Sequence, residues 1–78
     1  MKITLKLYAT LREHLNDHHN GASKIILHEQ STVKDVFKAY KIPEDIPKII
    51  LINGLQKSED DILHDGDILS VFPPIAGG

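Results

Sequence analysis

The chain opens on strict alternation: Ile3, Leu5 and Leu7 are apolar, and Lys2, Thr4 and Lys6 between them are polar. A period of two over this length marks a strand with one buried face, so the pattern predicts a strand from Lys2 to Tyr8. The period then changes. Leu11 and Leu15 stand four apart, which predicts a short helix or helical turn from Ala9 to Leu15. Asn16 to Ser23 is polar, contains Gly21, and reads as a loop. Lys24-Ile25-Ile26-Leu27-His28 is short and β-branched, and predicts a second strand.

A helix signal follows. Thr32 fits an N-cap, and Asp35 three residues later fits a capping box, although Glu or Gln is usual there. Val33, Val36, Phe37 and Tyr40 repeat at the spacing of one buried helical face. Pro43 stops that helix between Tyr40 and Ile42. Lys48 to Ile52 predicts a third strand, Asn53-Gly54 a tight turn with two positive φ angles, and Leu55-Gln56-Lys57 a short return strand. Asp60 to Leu63 reads as a turn segment, and Asp65-Gly66-Asp67 as a tight turn. Ile68 to Phe72 is the last strand. One amphipathic helix among short strands must bury its face on a sheet, which predicts an α+β domain: a mixed sheet of four to five strands with the helix across one face. The first strand is expected beside the last, in parallel; strand order is otherwise open.

Strand parity predicts a surface. With Leu69 and Val71 facing the helix, Ile68, Ser70 and Phe72 face outward. With Ile50 and Ile52 in the core, Leu51 also faces outward. Leu51, Ile68 and Phe72 on neighbouring strands would then form an exposed apolar patch, the usual mark of a protein interface.

Composition narrows the function classes. At 78 residues the chain is one domain with little room for an enclosed cleft. A net charge of -2 gives no electrostatic case for nucleic acid or an anionic membrane. There is no cysteine, hence no disulfide framework and no thiol nucleophile. No apolar run is long enough to span a bilayer and the first residues lack a signal-peptide pattern, so a cytoplasmic protein is expected. His14 and His18 are four apart with Asp17 nearby, but Asn16, Asn20 and Gly21 favour a surface loop over a metal site. Glu59, Asp60 and Asp61 lack the spacing of a calcium loop and read as a solvated turn.

The last stretch is Phe72-Pro73-Pro74-Ile75-Ala76-Gly77-Gly78. Proline has no N–H for a ladder, so strand pairing stops at Pro73. The prolines favour an extended path, and the six residues after Phe72 reach about 20 Å. Residues 1–72 are therefore read as the folded domain and 73–78 as a flexible tail. Gly77 and Gly78 fit a channel too narrow for side chains and would deliver a bare carboxylate. The plain alternative is a frayed, inert terminus.

Asp65-Gly66-Asp67, a five-residue apolar strand, Phe72-Pro73-Pro74 and Gly77-Gly78 in this spacing resemble the ubiquitin-like β-grasp sulfur carriers. The combination looks most like the MoaD group, the small subunit of molybdopterin synthase. Leu7-Tyr8-Ala9-x-Leu11-Arg12-Glu13 is also similar to that group, and the related thiamine-pathway ThiS group usually lacks Phe-Pro-Pro before the tail. The resemblance implies a ubiquitin-like β-grasp fold with an extended C-terminal tail. It implies a carrier that is not catalytic on its own and binds no cofactor. ATP would be used by an activating adenylyltransferase of the MoeB/ThiF type, which adenylates the carboxylate of Gly78. Sulfur from a donor system would then displace AMP and leave a thiocarboxylate, which a MoaE-type large subunit of molybdopterin synthase would receive. Pro73, Pro74, Ile75, Ala76 and Gly77 would occupy the partner's channel. Phe72, Ile68 and Leu51, with Tyr8 and Arg12, would meet the partner surface. Two alternatives belong to the same resemblance: a protein modifier conjugated through Gly78, and a sulfur carrier for another pathway such as thiamine.

Overall fold

The computed structural model describes residues 1–14, 21–43 and 45–73, and the side chains of all of these except 12–14. Strand β1 (Lys2–Leu7) leads into a 3₁₀ helix (Ala9–His14). Strand β2 (Ala22–Ile26), helix α1 (Val33–Ala39), and strands β3 (Ile49–Ile52), β4 (Leu55–Gln56) and β5 (Ile68–Phe72) follow. The strands form one sheet in the order β2-β1-β5-β3-β4. β1 and β5 run parallel at its centre, and the other pairs are antiparallel.

The alternation of β1 does what its period requires. Ile3, Leu5 and Leu7 are buried, and they meet Leu69 and Val71 of β5 and Ile50 and Ile52 of β3 on the same face. Val33, Val36 and Phe37 of α1 close that core, and Leu11, Ile25, Ile42 and Leu63 are buried in the same cluster. Tyr40 is half-buried against it. Each fully buried apolar side chain of this kind contributes about 1.5–3 kcal/mol of transfer free energy. Lys48 lays its ammonium 4.9 Å from the Phe37 ring centroid at the edge of the core.

The capping box is present in full. Thr32 N–H donates to Asp35 Oδ2 at 2.9 Å, and Asp35 N–H donates to Thr32 Oγ1 at 3.3 Å. The Thr32 backbone bond holds the Asp35 carboxyl below its ordinary pKa, helped by the Thr32 hydroxyl and by Lys38 and Lys34. Asp61 does the same for the preceding turn, accepting from Ser58 N–H at 2.7 Å and the Ser58 hydroxyl at 3.1 Å, and its pKa is lowered chiefly by the backbone bond. The carboxylate run at 59–61 is thus a turn, as its spacing implied.

Several boundaries differ from the pattern: β1 ends at Leu7 and not Tyr8, β3 starts at Ile49 and not Lys48, and β4 ends at Gln56 and not Lys57. β2 covers Ala22–Ile26 where the β-branched run predicted Lys24 to His28. Its pairing with β1 begins at Lys6↔Ala22, immediately after Gly21, whose φ of 67° turns the chain into the strand. The ladder, and not side-chain preference, decides where the strand starts. The predicted helical turn is a 3₁₀ helix that ends at His14; Leu15 lies outside the described residues.

Candidate functional site

β5 carries the candidate site, and it leads directly into Pro73. Its inward residues Leu69 and Val71 are fully buried, so Ile68, Ser70 and Phe72 stand on the outer face. Register with β3 sets Ile49 opposite Phe72 and Leu51 opposite Ser70. Ile68 is 40% exposed and Ile49 45% exposed, while Leu51, Ser70 and Phe72 are half-buried. The outward placement of Leu51, Ile68 and Phe72 expected from parity is therefore what the sheet shows.

Tyr8 joins them. It follows β1 and stacks on Phe72 with ring centroids 4.1 Å apart and planes 12° from parallel. Its N–H donates to Val71 O at 3.2 Å, which continues the β1–β5 ladder by one residue. The next residue, Ala9, has φ 54°, a left-handed conformation that costs a non-glycine residue about 1–2 kcal/mol. This turn starts the 3₁₀ helix and leaves Tyr8 over Phe72. Arg12 lies in that helix, with its side chain outside the described part of the structure.

The other end of β5 is anchored by the Asp65-Gly66-Asp67 turn. Lys2 N–H donates to Asp65 Oδ1 at 2.7 Å, and Gly66 N–H to Lys2 O at 2.8 Å. Thr4 N–H donates to Asp67 O at 2.9 Å. The Asp67 carboxylate is buried and accepts from Asn53 Nδ2 at 2.9 Å and His64 N–H at 2.8 Å. Asn53 accepts the Ile68 N–H on its own Oδ1 at 2.9 Å. Asn53 reaches these partners from the β3–β4 turn, where it and Gly54 have φ 53° and 84°. The turn thus ties β5 to β1 on one side and to the β3–β4 turn on the other. That fixes register, and a one-residue slip would turn Ile68 and Phe72 inward.

Pro73 is half-buried at the end of the strip. Pro74, Ile75, Ala76, Gly77 and Gly78 lie outside the described residues. Among the described residues no three His, Cys, Asp or Glu side chains gather as metal ligands; His18 and His19 lie outside them. No helix among the described residues is long and apolar enough to cross a membrane. Among the described residues the site is a surface strip of aromatic and aliphatic side chains around Ser70.

Two features of the strip lie outside the sequence expectations. Ile49 faces outward beside Leu51, which the burial of Ile50 and Ile52 already implied. The Tyr8–Phe72 stack needed the β1–β5 register, which no local pattern carries.

A five-stranded mixed sheet with one α-helix on a single face is the ubiquitin-like β-grasp architecture. The ThiS family model matches residues 5–78, and the chain belongs to the ThiS family. A chain named as a molybdopterin converting factor subunit 1, from Pyrococcus furiosus, superposes with TM-score 0.73 at 28% identity over 95% of this chain and 98% of that one. Small archaeal modifier protein 1 of Haloferax volcanii superposes with TM-score 0.73 at 22% identity over 95% and 98%. A chain of the complex between subunits 1 and 2 of molybdopterin-converting factor from Helicobacter pylori gives TM-score 0.63 at 18% identity over the whole of both chains. No curated protein matches the chain.

Proposed function

We propose that the chain is a sulfur carrier for molybdopterin synthesis, with Gly78 as the residue that bears the sulfur. The observation that carries this reading is the outward strip of Ile68, Phe72, Tyr8 and Ile49 leading directly to Pro73. It is a docking surface placed at the root of the tail, so a partner that grips it would receive the segment 74–78. The likeness to the Pyrococcus furiosus chain supports the molybdopterin branch.

A carboxylate is a poor acyl donor until one oxygen becomes a good leaving group. In the proposed cycle the Gly78 carboxylate attacks the α-phosphorus of ATP on an adenylyltransferase of the MoeB/ThiF type and releases pyrophosphate. The outer sulfur of a partner's persulfide displaces AMP to give an acyl disulfide, and a second thiol cleaves its S–S bond, leaving a thiocarboxylate on Gly78 and a disulfide on the donor side. A MoaE-type large subunit then takes the sulfur. The carrier supplies the acyl group and the docking strip, and its partners supply acid, base and electrophile. Phe72, Ile68, Leu51 and Tyr8 dock in this scheme, Arg12 flanks them, and Pro73 to Gly77 thread the partner channel.

The first test is ATP–pyrophosphate exchange by an activating enzyme from the same organism. Exchange that depends on the chain and is lost on deleting Gly78 is the expected result. No exchange, from an activating enzyme shown to be active on another carrier, overturns the reading. Small archaeal modifier protein 1 shares the fold and carries the word modifier in its name, so conjugation through Gly78 is the second reading. Lysine-linked adducts in extract supplied with ATP would favour it.

A further inference from the structure

We infer that the free edge of β2 is a second docking site, one that takes an extended acidic–apolar segment of another protein as an added strand. Its place is the sheet border farthest from β4, and it does not depend on the tail or on the sulfur-carrier reading.

Among the described residues β2 pairs on one side only, with β1. The bonds Leu7 N–H to Gly21 O at 2.7 Å and Leu27 N–H to Met1 O at 2.8 Å show which residues turn toward β1. They are the odd-numbered ones. Antiparallel pairing alternates, so the backbone N–H and C=O groups of Ala22, Lys24 and Ile26 point out of the sheet edge. Three donors and three acceptors in a row are a template for one more strand.

The side chains say what that strand would carry. Ile26 is 81% exposed, the highest value of any large apolar residue among the described ones. It stands on the outer face beside Lys2, and Lys24 stands beside Thr4. An antiparallel strand opposite β2 would set one side chain against Ile26 and one against Lys24 on the same face. An apolar residue and a carboxylate suit those two places. Read from N to C, the segment has an apolar residue, any residue, then an acidic one. Its intervening side chains turn the other way, toward the open groove lined by Leu27, Ser31, Asp35 and Ala39 between the edge and α1. A second copy of this chain fits badly. Two β2 strands in full antiparallel overlap oppose Lys24 to Lys24, and like charges directly opposite are unfavourable.

The test is an amide-resolved NMR titration of the full chain with a synthetic peptide. The peptide alternates valine and threonine and carries one glutamate two residues after a valine; a control has lysine in place of that glutamate. Saturable shifts centred on Ala22, Lys24 and Ile26, with the glutamate peptide about fivefold tighter, are expected. Lys24→Glu, an exposed change, should reverse that preference, and Ile26→Thr should weaken both peptides alike. Absence of saturable shifts at the β2 amides overturns the inference, and so does a preference that survives Lys24→Glu. Concentration-dependent β2 shifts in the chain alone would also overturn it, because a second copy would then be the occupant.

Discussion

Asn53 and Asp67 hold each other across the sheet: the Asn53 amide donates to the Asp67 carboxylate at 2.9 Å, and its carbonyl oxygen accepts the N–H of Ile68 at 2.9 Å. Asp67 is buried and also accepts from His64 N–H. Its removal leaves two donors without a partner. Asp67→Ala should therefore cost about 2 kcal/mol, near the middle of the range for breaking a buried polar network. In a domain of this size that is a fall of about 10 °C in melting temperature. Thermal unfolding by circular dichroism checks it, and Asp65→Ala, on an exposed side chain, should cost less than half as much.

The Tyr8–Phe72 stack joins the outward apolar strip to the body. Phe72→Asp should lose about 1 kcal/mol of stability, the scale of one partly exposed aromatic pair. It should weaken the activating enzyme's binding by far more, because a charge then sits in the centre of an apolar contact. Calorimetric titration measures the second effect and urea unfolding the first. A double-mutant cycle with Tyr8→Ala should give a stability coupling of about 1 kcal/mol, and additive losses would mean the stack carries no energy.

Two backbone positions make a matched pair. Ala9 has φ 54° and Gly66 has φ 88° with nothing within 4 Å of the site of an added Cβ. Gly66→Ala should cost about 1 kcal/mol through conformation alone, since there is space for the methyl group. Ala9→Gly should gain about 0.5 kcal/mol, the relieved strain exceeding the extra entropy of the unfolded chain. Urea unfolding with a shared m-value measures both.

Acid stability follows from the two turn carboxylates. Asp35 and Asp61 have folded-state pKa values below the ordinary 3.8, so their contribution is fully present above that pH. It is lost as pH falls through the lowered values. Stability should be flat for these groups from pH about 6 to about 5 and fall below about pH 4. Asp35→Asn and Asp61→Asn should each reduce that acid slope while lowering stability near neutrality. Urea unfolding at a series of pH values checks the sign.

Most of this architecture is legible along the chain because each element declares its own period. Ile3, Leu5 and Leu7 mark β1, Val33, Val36 and Phe37 mark α1, and Asn53-Gly54 marks the hairpin. Parity even placed Leu51, Ile68 and Phe72 on the outer face before any register was known. What stayed hidden depends on contacts between distant residues. Ala22 and Ser23 are strand because β1 pairs with them, although their own types favour a loop. Tyr8 stacks on Phe72 and Asn53 bonds Asp67 only once β1, β5 and the β3–β4 turn lie side by side. The tail motif was read from residue types alone, and Pro74 to Gly78 lie outside the described residues.

Intact-protein mass spectrometry tests most directly whether Gly78 carries sulfur. The purified chain is incubated with ATP, an activating enzyme of the MoeB/ThiF type from the same organism, a persulfide donor and a thiol reductant. A mass gain equal to one oxygen replaced by one sulfur, absent when Gly78 is deleted, is the predicted result. An unchanged mass, with the same enzyme charging another carrier in parallel, would contradict it.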